Sequence, residues 1–186
     1  MAQIEEPSYK IVEKSGDFEV RNYAPYIVAE VEMEGDRDSA VNAGFRVLAG
    51  YIFGGNTKRT KIEMTAPVTQ SKGEKIEMTA PVTQSPQGSK WIIRFMMPSG
   101  YRLETLPTPD DPRITFKLMP ARSVAVLRFS GFWSDSNLEG HRAKLLALLE
   151  AKSLKPKGAS TYAFYDPPWK PFFWRRNEIL QEISKP

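Results

Sequence analysis

Two stretches of this chain carry apolar residues at helical spacing, and each is set among short runs in which apolar and polar side chains alternate. In "GDRDSAVNAGFRVLAGYIFGGN", Val41, Phe45, Leu48 and Ile52 recur every three or four residues. Asp36 and Asp38 stand where the N-terminal dipole of a helix favours acid, and Gly54-Gly55 supplies a stop. In "SDSNLEGHRAKLLALLEAKSL", Leu138, Leu145, Leu148 and Leu149 form a second stripe, and Ser136 with Glu139 has capping-box spacing. The runs "FEVRNYA", "YIVAEVEME", "KWIIRFMMP" and "RSVAVLRFSG" read as strands, and "STYAFYDPPWKPFFWRRNEILQEI" as two aromatic strands around a Pro-Pro corner. Strands, helix, strands therefore occur twice, which predicts an α+β fold of two strand–helix–strand–strand halves. With 186 residues, 41% of them hydrophobic, the chain is long enough for one domain spanning 1–186 with a sizeable core.

The decapeptide "KIEMTAPVTQ" is written at 61 and again at 75. Two copies are too few for a solenoid, in which roughly three or more repeats must stack to bury a core. Each copy alternates, with Ile62, Met64 and Ala66, then Ile76, Met78 and Ala80, on one side, before Pro67 and Pro81 interrupt. Joined by "SKGE", the copies predict a hairpin of two proline-limited edge arms. Met64 and Met78 are flexible core packing on this reading, with a thioether ligand role as the alternative.

Much chemistry is excluded by what the chain lacks. Without cysteine there is no disulfide, thiolate metal site, cysteine nucleophile or covalent haem attachment, and His141 is the only histidine. Nucleotide-loop, hydrolase-elbow, metalloprotease and EF-hand patterns are absent, and "FGGNTKRT" follows a helix where a phosphate loop precedes one. Asp110-Asp111, set between prolines, is loop chemistry. Ser134, Asp135 and Ser136 near His141 suit the start of a helix better than a catalytic cluster. The net charge of +4 is spread over interleaved acids and bases, which gives no nucleic-acid signature. No window reaches the roughly 18 apolar residues of a membrane span and no leader pattern opens the chain, so the expected location is the cytoplasm.

The segment "YAFYDPPWKPFFWRRN" sets Tyr165, Trp169, Phe172, Phe173 and Trp174 among prolines and three cations, Lys170, Arg175 and Arg176. Such rings serve either as corner packing or as a surface for a flat apolar ligand whose anionic groups meet the cations, as a porphyrin with propionates requires. "GYIFGGN" at 50 to 56, the doubled "KIEMTAPV" and "YDPPWKPFFWRRNE" at 165 to 178 together resemble the SOUL family of haem-binding proteins, from about Tyr9 to the C-terminus.

The resemblance implies a distorted antiparallel β-barrel of two β-α-β-β halves flanked by two helices, related to ligand-binding modules of bacterial regulators. It implies reversible, non-covalent binding of haem or another porphyrin, for buffering or transport and without turnover, in a shallow groove between the first helix and the C-terminal strands. Carried over by position, the helix wall is Asn42, Phe45, Arg46 and Ala49, and the other wall Tyr165 and Lys170, to which Trp169 and Phe172 are added as sequence neighbours. Asn42 stands where some relatives carry a base. No histidine stands near the start of the first helix, which leaves Tyr165, His141, Met64 and Met78 as candidate iron ligands. Two other readings remain open: an enzyme, either haem-dependent or using the barrel cleft, and a small-molecule sensing or protein-interaction module.

Overall fold

The structure, a computed structural model, describes residues 5–57, 73–167 and 169–184. Helix α1 is Arg37–Ile52, and the Asp36 side chain accepts a hydrogen bond from the Ser39 amide at its start. Its buried stripe is Ala40, Gly44, Leu48, Tyr51 and Ile52. Val41 lies at the margin, and Phe45 is exposed except for an edge contact with Phe95 at 5.4 Å between centroids. Gly44 takes the inward place expected of Phe45 because the helix lies close on the sheet. A Cβ there would sit 2.8 Å from Ile93 Cδ1.

Helix α2, Asp135–Ala151, buries Leu138, Leu145 and Leu149 as predicted. Its cap differs. Ser134, rather than Ser136, accepts from the Asn137 amide, and Glu139 pairs with Arg142 instead of closing a capping box. The chain enters the helix two residues earlier than the box would place it, so Ser136 lies inside the first turn.

The strands are β1 (Tyr9–Ser15), β2 (Phe18–Tyr23), β3 (Tyr26–Glu34), β4 (Asn56–Thr57), β5 (Val82–Gln87), β6 (Lys90–Met96), β7 (Thr108–Pro109), β8 (Thr115–Met119), β9 (Arg122–Phe129), β10 (Thr161–Phe164) and β11 (Asn177–Glu182). Nine of them form one antiparallel sheet in the order β1-β2-β9-β11-β10-β5-β6-β3-β8, and β4 pairs with β7 apart from it. The units β3-α1-β5-β6 and β9-α2-β10-β11 repeat one plan and join through β5 and β10. The flanking strands are exchanged. β2 leads into β3 yet pairs with β9, while β8 leads into β9 yet pairs with β3. The two short corners between them, Ala24-Pro25 and Pro120-Ala121, face each other: Tyr23 is in register with Arg122, and Tyr26 with Met119. Arg122 also donates to the Tyr26 hydroxyl at 2.8 Å. The sheet is thereby curled into a half-barrel.

Both helices cover the same face. Ile93 and Phe95 under α1 are in register with Gln84 and Val82, which are in register with Tyr162 and Phe164 beside α2. The alternate residues, among them Tyr23, Val126, Ala163 and Leu180, form a third cluster inside the curl.

Of the expected decapeptide hairpin, only the second arm can be followed. The first copy lies outside the described residues, Met64 with it. In the second, no residue before Val82 is in a strand, and Met78 is exposed while Ile76 and Ala80 are buried. Pro81 has no N–H for a ladder, so pairing starts only after it. The hairpin that does form joins β5 to β6 across Gly88-Ser89, where Gly88 takes φ 60°. The Ile76 amide instead donates to Ile52 O, and buried Asn56 bonds both Tyr51 O and the backbone of Glu74. Thus the end of "GYIFGGN" and the start of the second "KIEMTAPV" are tied together.

Candidate functional site

On the helix face, α1 is oriented by its aromatics. Tyr51 packs on Phe116 of the outer strand β8, and Phe45 on Phe95 toward the sheet centre. Asn42, Phe45, Arg46 and Ala49 follow at three- and four-residue intervals and share that inner flank. The first three are exposed and Ala49 is partly so. Arg46 has no carboxylate partner among the described residues.

From Phe95 the apolar packing continues beneath the face through half-buried Val82 and buried Phe164 to half-buried Trp133, whose ring lies 5.0 Å from Phe164. Trp133 carries the Arg175 guanidinium at 4.7 Å and donates Nε1–H to Asn177. Beyond it a turn of 3₁₀ helix, Phe172–Trp174, holds three rings in the open, with Phe172 stacked on Phe132 at 4.2 Å. Trp169 is 83% exposed. Arg37 bonds both Trp133 O and Asp135, which fixes the start of α1 to the start of α2. On the same face Gln84 is buried with its Oε1 unpartnered among the described residues.

The cations of the C-terminal corner are largely engaged. Lys170 pairs with Asp166 at 2.6 Å, and Arg175 donates to Lys170 O as well as stacking on Trp133. Arg176 bonds Glu6 and Glu178.

Tyr165 points to the other face. It follows Phe164, so alternation sends it inside the curl with Tyr23 and Tyr26. There its hydroxyl donates to Glu178 at 2.7 Å, and the Arg176 guanidinium lies 3.8 Å over its ring. Burial first, and the Glu178 charge second, push its phenol well above the ordinary value. Glu178 is wholly buried and receives two bonds from Arg21, at 2.7 and 2.9 Å, and one from Arg176 at 3.0 Å. Burial alone would raise its carboxyl, but the bonds and charge of Arg21, with Arg176 and Tyr165, hold it below the usual range. Tyr23 beside them is pushed up to about 12, chiefly by burial. Arg21 also binds Glu19, which binds Lys14. This network was not foreseen from the sequence, because its members are scattered along the chain.

The structure therefore brings Asn42, Phe45, Arg46 and Ala49 onto one flank and Trp169, Lys170 and Phe172 into one exposed turn, with Tyr165 on the opposite face of the sheet. His141 lies on α2, stacked on Phe129 at 4.2 Å, and its Nδ1 donates to Asn137 O. Among the described residues no group of three His, Cys, Asp or Glu is placed to hold a metal ion, and no described helix is long and apolar enough to cross a membrane.

The model of the SOUL heme-binding protein family matches residues 4–72 and 69–182. The chain belongs to that family. Heme-binding protein 2 of Mus musculus is 31% identical over 184 residues, covering 95% of this chain and 84% of that protein. Heme-binding protein 1 of Xenopus laevis is 28% identical over 169 residues, covering 90% and 84%. These relatives are named for binding haem, and neither name is that of an enzyme. Among solved structures, the EcmrR C-terminal domain aligns with a TM-score of 0.60 at 12% identity, over 96% of this chain and 99% of that one. A hydrolase from Listeria innocua aligns at 0.62 with 10% identity, over 93% and 94%. At such identities the likeness is one of fold, and it is the curled half-barrel that this SOUL chain shares with them.

Proposed function

We propose that this SOUL-family chain binds haem or a related tetrapyrrole reversibly on its helix face, between the inner flank of α1 and the Phe172–Trp174 turn, to buffer or carry it. The observation that carries the reading is the pair of exposed aromatic edges on this face, Phe45 on α1 and Phe172–Trp174 on the turn, with Arg46 beside the first and without a carboxylate partner among the described residues. Large rings left in water are costly, at about 25 cal/mol per Å² of apolar surface, and a flat macrocycle laid across them recovers that energy. Arg46 supplies a cation for one propionate. Lys170 supplies a second by exchanging Asp166 for it, and Asn42 and Ala49 leave room beside the ring. Trp169 and Phe172 form the opposite rim.

Iron ligation is secondary in this reading. Tyr165 is committed to Glu178 on the other face, and His141 lies on α2. Met78 is exposed and free to be tested.

A hemin titration followed at the Soret band, in parallel with metal-free protoporphyrin, tests the proposal. Saturable one-to-one binding of both is expected. Phe45→Ala and Arg46→Glu are expected each to weaken it about ten-fold, the scale of one lost ring contact or charge-assisted bond. His141→Ala should leave the Soret band unchanged. Full affinity in folded Phe45→Ala and Arg46→Glu proteins would remove the ligand from this face.

A further inference from the structure

The curl of the sheet leaves a concavity of about 320 Å³ on the face turned away from both helices. Its apolar lining includes Ile92, Met119, Val124 and Leu180, together with Tyr26. Tyr26, Thr83 and Leu180 also line a narrower recess with Tyr23 and Tyr165, so the cleft tapers toward the buried Glu178 network.

The charges at its mouth are of one dominant sign. Arg94, Arg122 and Lys157 line it, against Glu182 alone. Arg94 is satisfied by Glu30 at 2.7 Å and by Ser85. Arg122 is different. Its guanidinium donates to the Tyr26 hydroxyl, lies over that ring at 5.6 Å, and meets no carboxylate among the described residues. Lys157, exposed on the loop before β10, likewise has no carboxylate partner among the described residues.

A guanidinium held still by an aromatic ring, with an unpaired ammonium in the same lining and an aliphatic floor, is an arrangement that recognises an anion attached to an apolar body. We propose that this cleft binds a small amphipathic organic carboxylate, with its carboxylate on Arg122 and Lys157 and its apolar part over Ile92, Val124 and Leu180. The volume lies at the low end of the roughly 300–1,000 Å³ of small-molecule sites, which suits one or two rings rather than a macrocycle. Because the cleft and the helix-face groove lie on opposite sides of the sheet, the two sites are independent.

The test uses the full chain with methionine methyl groups labelled with carbon-13, titrated with naphthalene carboxylate and with the matched naphthylmethylammonium ion. Met119 lines the cleft and Met78 does not, and a Met119→Leu variant assigns the first signal. The carboxylate is expected to shift Met119 saturably, the ammonium ion is not, and Arg122→Gln and Lys157→Gln are each expected to weaken binding about ten-fold. Lys157→Gln is the control for folding, since its exposed side chain bonds no other side chain among the described residues. Equal response to both ions, no shift at Met119, or an affinity unchanged in both variants would overturn the proposal. A hemin titration repeated with the carboxylate saturating should be unaltered, whereas competition between them would place both ligands in one site and refute the separate cleft.

Discussion

Replacing Glu178 with Gln removes the wholly buried charge that meets both Arg21 and Arg176. The Arg21 side chain is 3% exposed and Glu178 is 0% exposed, so the loss leaves a guanidinium with no solvent to replace its partner. Breaking such a pair from one side costs about 3–5 kcal/mol. Arg21 keeps its 2.7 Å bond to Glu19, which places the expectation near the lower figure, about 3 kcal/mol. Urea unfolding followed by tryptophan fluorescence measures it. The Arg21→Met, Glu178→Gln double variant should lose clearly less than the two single losses added together, because the second change removes the charge the first one stranded. The pH dependence has a fixed sign. The folded carboxyl titrates below its unfolded value of about 4.3, so its stabilisation is complete above that pH and is lost as pH falls through the lower folded value. Glu178→Gln should therefore show a shallower acid limb. A loss below about 1 kcal/mol, with the acid limb unchanged, would mean that water reaches the network and would refute the reasoning.

Gly44→Ala should lower stability by about 1–2 kcal/mol despite its better helix propensity, since its Cβ would meet the fully buried Ile93, and Ile93→Val in the same chain should recover part of the loss in urea melts. Asn56→Ala should cost about 2 kcal/mol by removing the bonds that tie Tyr51 O to both backbone groups of Glu74, and proteolysis near Glu74 should speed up. Gln84→Met should be neutral or stabilising by about 1 kcal/mol, as it removes a buried amide oxygen with no partner among the described residues; a clear loss in thermal melts would show that the Gln84 amide is satisfied.

What was legible in the sequence was mostly local. The spacing of Leu138, Leu145 and Leu149 needs only one helix to explain it, and the period change at Asp36 marks α1 without knowledge of its neighbours. The duplicated decapeptide misled at its second arm because two like strings suggest pairing with each other, whereas Pro81 delays the strand and the ladder goes to β6 through Gly88-Ser89. Strands β1 and β8 carry few buried residues and gave no alternation to read. The exchange of β2 and β8 between halves depends on contacts about a hundred residues apart, to which no local period reports. The candidate site divided along the same line. Asn42, Phe45, Arg46 and Ala49 share a flank because helical spacing requires it, while Phe164 and Tyr165 part company because a strand turns successive side chains to opposite faces.

That division bears on how the two faces differ in use. Inside the curl, Arg21, Arg176, Glu178, Tyr165 and Glu6 tie β2, the C-terminal turn, β11 and the N-terminal segment into one ionic cluster, so that side of the turn is fixed from within. On the helix side the same turn leaves Trp169, Phe173 and Trp174 in the open, with Lys170 held only by one partly exposed carboxylate. A rigid base with a partly exposed, exchangeable ion pair and unburied rings is what reversible capture of a flat anion requires. The base limits the ordering cost on binding, and the partial exposure of the Lys170 pair sets a low barrier to exchanging Asp166 for the ligand. Asp166 also accepts the Arg176 amide at 2.6 Å, so Asp166→Asn, which keeps an acceptor there while removing the charge beside Lys170, should tighten porphyrin binding if Lys170 meets a propionate. Unchanged affinity in that variant would assign the anionic end of the ligand to Arg46 alone.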